Sequence, residues 1–233
     1  MKLGMFLYAG PSRKLPRNVS ICGIMTWQCT LGTINEDQVM HELPVHKCHR
    51  LLAPRIAYLI GTTDGGIPNV APFSNVTQVS ADPQIVAAAI NRESTTFKNI
   101  AKVGRFVLSV PRAEHADIVW RLGEKFSGFR PPEGISKIDA SGGEFHLDLS
   151  GYGPVLKGVT GWFECEVISE VSTNDADHAL FLARDTGGQY NPEFLNSDGT
   201  YRKNSMPLMQ LVLNSFSTTN ESWLMDWLGP DHP

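Results

Sequence analysis

Hydrophobic positions between residues 54 and 122 follow two periods, and the switches between them mark the elements. Ile56–Thr63 (IAYLIGTT) is an apolar, β-rich run closed by Asp64-Gly65-Gly66, a hairpin signal. Val70–Ser80 continues as extended chain, but Pro72 removes a ladder donor, so this strand must bend or lie on an edge. Asp82-Pro83 makes a turn. Gln84–Ile90 (QIVAAAI) then reads as a buried strand whose small side chains let another backbone or a flat ligand come close. Ser94-Thr95-Thr96 precedes Phe97, Ile100, Ala101 and Val103, which predicts a short helix with its cap in front and Gly104 as its stop. Arg105–Val110 is again a strand, and Pro111–Leu122 a second helix with Pro111 in its first turn.

Periodicity weakens after that. Residues 123–157 are rich in Gly, Pro and Ser and read as one long irregular excursion of the lid, arm or binding-loop kind. Thr160–Val171 alternates, with Trp162, Glu164 and Glu166 on one face and Phe163, Cys165 and Val167 on the other. Glu164 and Glu166 should face solvent or a partner subunit. Asp177-His178 falls at the next turn, Ala179–Ala183 is the partner strand, Gly187–Asn204 reads as loop and Met206–Phe216 as a final strand. About six closely spaced strands with short helices predict a mainly β, antiparallel barrel instead of βαβ winding.

Composition narrows the function classes. Apolar residues make up 42% of the 233-residue chain and charged residues 19%, the profile of an ordinary soluble globular protein. A formal charge of −4 argues against a general nucleic-acid binder. No apolar run approaches the roughly 18 residues of a membrane span. Cys22, Cys29, Cys48 and Cys165 stand alone, consistent with reduced thiols in the cytoplasm. The first forty residues differ from the rest: basic residues precede the first acidic one, Glu36, so the segment is either a leader-like appendage or lies upstream of a true start at Met40. Residues 41–233 then form the main domain with a C-terminal extension.

The chemistry concentrates between Asn69 and Asn99. A phosphate needs short donors, the backbone N–H groups of a helix start and a nearby cation. Ser94–Thr96 entering a helix, with Arg92 before it and Lys98 inside it, provides these, although Ser and Thr before a helix are also ordinary caps. His41, His46, Cys48 and His49 are the densest metal-type cluster, but their spacing fits no established zinc pattern and Arg50 and Arg55 follow, so no metal is expected. His115 and His146 are isolated and expected on the surface or in loops. The glycine pairs lack a GxGxxG or P-loop frame. Trp223 and Trp227 in the tail lack the basic face of a membrane-surface helix.

Residues from about 44 to 185 resemble the flavin reductase-like, FMN-binding split-barrel family. The likeness rests on LLAPRIAYLIGTTDGGIPNVAPFSNVTQVSADPQIVAAAI, STTFKNIAKVGRFVLSVP, GWFECEV and ADHALF, in the family's order. The resemblance implies an antiparallel, Greek-key split β-barrel, usually a homodimer, binding FMN. Asn69, Ser74, Asn75, Val76 and Thr77 would approach the ring and ribityl chain, largely through backbone groups. Ser94, Thr96 and Asn99 would hold the phosphate, with Arg92 and the long loop's Lys125 as basic neighbours. His178 matches the histidine of the family's Gly-Asp-His turn, which faces the nicotinamide site in several relatives. Ala176 replaces that turn's glycine, and Asn75 stands where relatives often carry an aromatic. The implied activity is flavoprotein oxidoreduction from NADH or NADPH to flavin or another acceptor. The alternatives are an FMN-holding electron carrier without a nicotinamide reaction and, further off, a flavin oxidase. FMN would carry the hydride and electron chemistry, so no catalytic triad or carboxylate pair is needed.

Overall fold

The computed structural model describes residues 41–203, 205–211 and 214–218. The N-terminal appendage, Cys22, Cys29 and the tail tryptophans lie outside the described residues. In chain order the elements are β1 (Arg55–Ile56), β2 (Tyr58–Asp64), β3 (Ile67–Phe73), β4 (Val76–Ala81), β5 (Gln84–Asn91), α1 (Thr95–Val103) and β6 (Arg105–Ser109). Then come α2 (Ala116–Leu122), α3 (Glu124–Ser127), α4 (Lys137–Ala140), β7 (Phe145–Ser150), β8 (Gly153–Leu156), β9 (Gly161–Val171), β10 (His178–Tyr190), β11 (Met209–Gln210) and β12 (Phe216–Ser217).

Seven strands form one antiparallel sheet in the order β3-β2-β6-β9-β10-β5-β4. Its two edges, β3 and β4, are consecutive in sequence and separated only by Ser74 and Asn75. So short a link forces the sheet to curl until its edges approach, yet no ladder joins them. The barrel is therefore split along this seam. Pro68 and Pro72 both lie in β3, where an edge spares them a missing ladder bond. Gly65 and Gly66 turn the β2–β3 hairpin with φ of 56° and 81°, a conformation glycine adopts without strain.

Alternation along the strands builds two cores, one on each face of the sheet. Ile60, Val86, Ala88, Ile90, Phe106, Leu108, Cys165, Phe181 and Ala183 fill the barrel. Helix α1 plugs it with Ile100 and with Phe97, whose ring lies 5.5 Å from that of Phe181. On the outer face, Leu59, Val70 and Val107 pack against Val119 and Leu122 of α2, Ile138 of α4 and Val155 and Leu156 of β8. Gly61 makes this layer possible, since a Cβ there would stand 2.3 Å from the carbonyl oxygen of Pro154.

Several expectations need correction. Residues 123–157 are not one irregular excursion: they hold α3, α4 and the β7–β8 hairpin, built on a weak pattern that only outer-core packing stabilises. Pro111 does not open a helix; a 3-10 turn at Ala113–His115 comes first and α2 starts at Ala116. β10 runs on through the polar stretch to Tyr190, because its partner β9 supplies a ladder up to Gly161. The expected final strand is two short ones, β11 and β12. His115 is buried: its Nδ1 accepts the N–H of Arg112 at 3.1 Å. Glu166 is exposed, as expected, and Glu164 partly so; Ser150 and the Tyr152 hydroxyl donate to Glu164 and Glu166 at 2.8 and 2.6 Å.

Candidate cofactor site

Helix α1 starts where three chain segments meet. Ser94 caps it: its hydroxyl accepts the Phe97 N–H at 3.0 Å and donates to the Asn91 carbonyl at 2.7 Å. The Lys98 N–H bonds the Ser94 carbonyl. The N–H groups of Thr95 and Thr96, in the first turn, have no intrahelical acceptor. Gly104 closes the helix in the left-handed region at φ 69°.

The turn before the helix is tied to the start of β10. Arg92 N–H donates to the Asp177 carbonyl at 3.1 Å, its guanidinium donates to the Thr173 carbonyl at 2.7 Å, and His178 pairs with Asn91 across the ladder. His178 Nδ1 lies 2.7 Å from Asp177 Oδ1, with the imidazole partly exposed. The His178 hydrogen bond and charge hold the Asp177 carboxyl below the usual carboxylate range, and Lys125 on α3 adds a smaller pull. Lys125, itself exposed, is thereby within electrostatic reach of this turn. Arg92 and Ser94, His178, and Lys125 thus come from three parts of the chain to one neighbourhood.

A second, buried group sits beneath the first turns of α1. Thr62 of β2 is 0% exposed, and its hydroxyl oxygen receives the amides of Asn69 at 3.3 Å and Asn99 at 2.9 Å. Asn69 also donates to Thr96 Oγ1 at 3.0 Å. The hairpin and the helix are pinned together by polar groups in an otherwise apolar setting. Thr62 was missed by sequence reasoning. The one signal for it was a polar residue at an inward position of an apolar run.

At the seam, the Asn75 carbonyl accepts the Ala89 N–H at 2.9 Å and its side chain accepts from Arg55 at 2.7 Å. Ser74 donates to Gln210 at 2.8 Å. Val76 and Thr77 open β4 opposite Ala88 and Ala87. Gln210 carries no motif that singles it out in sequence. Cys165 is buried, which pushes its thiol up and out of reactive range. Among the described residues no group of three or more His, Cys, Asp or Glu is gathered closely enough to hold a metal, and no helix is long and apolar enough to cross a membrane.

The split sheet, its plugging helix and the donors gathered at that helix's start define a cofactor-binding split barrel. Residues 50–205 match the model of the flavin reductase like domain, and the chain belongs to that family. It is similar to the NADH-dependent flavin reductase StyB of Pseudomonas fluorescens, 28% identical over 137 residues that cover 58% of this chain and 70% of that protein. In fold it is similar to a flavin-reductase-type protein with a split barrel domain from Shewanella frigidimarina, with a TM-score of 0.66 and 16% identity over 79% of this chain and 94% of that one. An FMN-binding protein from Thermus thermophilus matches with a TM-score of 0.63 and 20% identity over 81% and 98% of the two chains.

Proposed function

We propose that this protein binds FMN at the start of α1 and acts as an oxidoreductase, taking hydride from NADH or NADPH and passing electrons to free flavin or another small acceptor. The observation that carries this reading is the set of donors at one helix start, the N–H groups of Thr95 and Thr96 and the Arg92 guanidinium, in a turn that the Ser94 hydroxyl holds by its bonds to Asn91 and Phe97. Together they fit a phosphate dianion by charge and by hydrogen-bonding type. One N–H of Arg92 is spent on Thr173, which steadies the side chain and leaves the rest of its donors.

FMN, when bound, supplies the hydride and electron chemistry. The chain's own residues bind and orient. Asn75, Val76 and Thr77 offer seam backbone to the ring and chain. His178 holds a proton against Asp177 at the mouth and presents its imidazole to an incoming nicotinamide, with Lys125 nearby as a cation. A homodimer belongs to the same reading. The outer faces of β4, β5 and β10 carry Thr77, Val79, Ala87, Ala89, Leu180 and Leu182, and Val79 is 52% exposed.

The test is the visible spectrum of purified protein, then anaerobic addition of NADH or NADPH. Bound flavin that bleaches supports the proposal; a colourless protein that takes up no FMN sinks it. His178→Ala is expected to slow bleaching while the yellow colour stays. Unchanged kinetics would remove the nicotinamide role and leave an electron carrier.

A further inference from the structure

We propose that the cleft between the β7–β8 hairpin and the last ladder pairs of β9 and β10 is a second small-molecule site, which takes a one-ring aromatic carboxylate. It stands apart from the cofactor reading above. Tyr190, on its wall, ends the strand that His178 begins, roughly 40 Å of extended chain away.

The pairing of β9 explains why a cleft forms here. Trp162 lies opposite Ser109 on one side and Gln189 on the other, so its indole and the Gln189 amide share the outer face of the sheet. The β7–β8 ladder breaks between His146 and Ser150, and the cleft opens at that break, with His146, Leu149 and Val155 on its walls.

Size and lining choose the occupant. The cleft holds about 160 Å³. A cavity of about 150 Å³ is enough for benzene, so one substituted ring fits and a three-ring flavin does not. The floor is apolar: Val155 and Leu156 are 1% and 2% exposed, and Trp162 packs beside them. A flat ring covers such a floor and stacks on the indole.

The rim asks for an anion. Lys157 pairs with Glu144 at 3.0 Å, but the two side chains are 48% and 78% exposed. Water screens that pair, and the ammonium keeps donors for a second anion. Lys157 first, and His146 to a smaller extent, hold the Glu144 carboxyl below its usual range, which sets both basic side chains at one rim. The Trp162 indole N–H and the Gln189 amide have no hydrogen-bond partner among the described residues, and the indole nitrogen is not sealed from solvent. One lysine and two neutral donors match a carboxylate; a phosphate dianion would call for more positive charge.

Benzoate is the probe, titrated into the full-length protein by calorimetry beside acetate, which lacks the ring, and benzyl alcohol, which lacks the charge. Benzoate is expected to saturate with a Kd of roughly 0.1–1 mM, within reach of so small a ligand, and the other two to bind at least about tenfold more weakly. Lys157→Gln should weaken benzoate about fivefold, and Lys157→Arg should restore it. Glu144→Gln, which removes the competing carboxylate, should tighten it about twofold. Trp162→Leu should abolish saturation; should that variant fail to fold, the exposed Lys157 series still decides. No saturation in the wild type, acetate binding as tightly as benzoate, or wild-type affinity in Lys157→Gln would each overturn the proposal. Competition between FMN and benzoate would put the ring in the cofactor site and overturn it too. Flavin uptake is read separately in the visible spectrum, so a protein that takes benzoate but no FMN fails the cofactor reading alone.

Discussion

The sheet has one covered half and one bare half, although the same alternation runs through both. Over β2, β3 and β6, outward Leu59, Val70 and Val107 meet α2, α4 and β8 and are 0–1% exposed. Over β4, β5 and β10, the outward row is Thr77, Ala87 and Leu182, with Ala89, Leu180 and Val171 beside it. There Val79 and Val171 are 52% and 49% exposed. The covered half uses bulky aliphatics that must be buried inside the chain. The bare half uses small or mixed residues that tolerate water and could accept a flat partner. The seam carrying Ser74 and Asn75 lies between the two halves.

Cutting into the shared interior should cost most. Phe106→Ala empties the barrel core and is expected to destabilise by about 3–5 kcal/mol in chemical denaturation. The comparison itself is tested by a matched pair: Leu59→Ala should cost about 2–4 kcal/mol and the only partly buried Leu180→Ala about 1 kcal/mol or less. Equal costs would mean the bare half is covered too. Leu180→Lys should then leave the monomer folded but reduce any dimer seen by light scattering.

His115 sharpens the contrast through pH. Burial lowers its pKa from the usual 6.5, because Nδ1 must stay unprotonated to accept the Arg112 N–H in a desolvated site. The unfolded chain therefore binds the proton first. Stability is fully present above about pH 6.5 and is lost as the pH falls below it. His115→Asn, which keeps an acceptor in place of Nδ1, should flatten the fall of Tm between about pH 7 and 5. The smallest effect is expected for Lys102→Ala. Its ion pair with Asp64 spans 2.7 Å but the lysine is 67% exposed, so the loss should stay under about 0.5 kcal/mol and shrink further in salt.

Much of this was legible in the chain. The β2–β3 hairpin followed from Asp64-Gly65-Gly66, a bend or edge near Pro72 from that proline, and α1 from Ser94 and Gly104, because each is fixed by contacts within a few residues, whereas the single strand expected over Val70–Ser80 is broken at Ser74 and Asn75 into β3 and β4. The α3–α4 segment and the β7–β8 hairpin were not legible. Their own pattern is too weak to declare them, and they exist because the outer face of β2 and β6 needs covering. His115 was misplaced for the same reason: nothing local reveals that Gly158 and the turn at Arg112 close over it.

The site divides in the same way. Sequence by itself determined that Ser94 caps a helix start and that short polar side chains cluster around it, since capping is a local property. Only the tertiary structure decided what else stands there. It brings His178 beside Asn91 through a ladder between distant strands, sets Lys125 within reach of Asp177, and buries Thr62 under Asn69 and Asn99. Long-range pairing and burial choose those neighbours. Those choices depend on neighbours far away in the chain, and no local pattern encodes them.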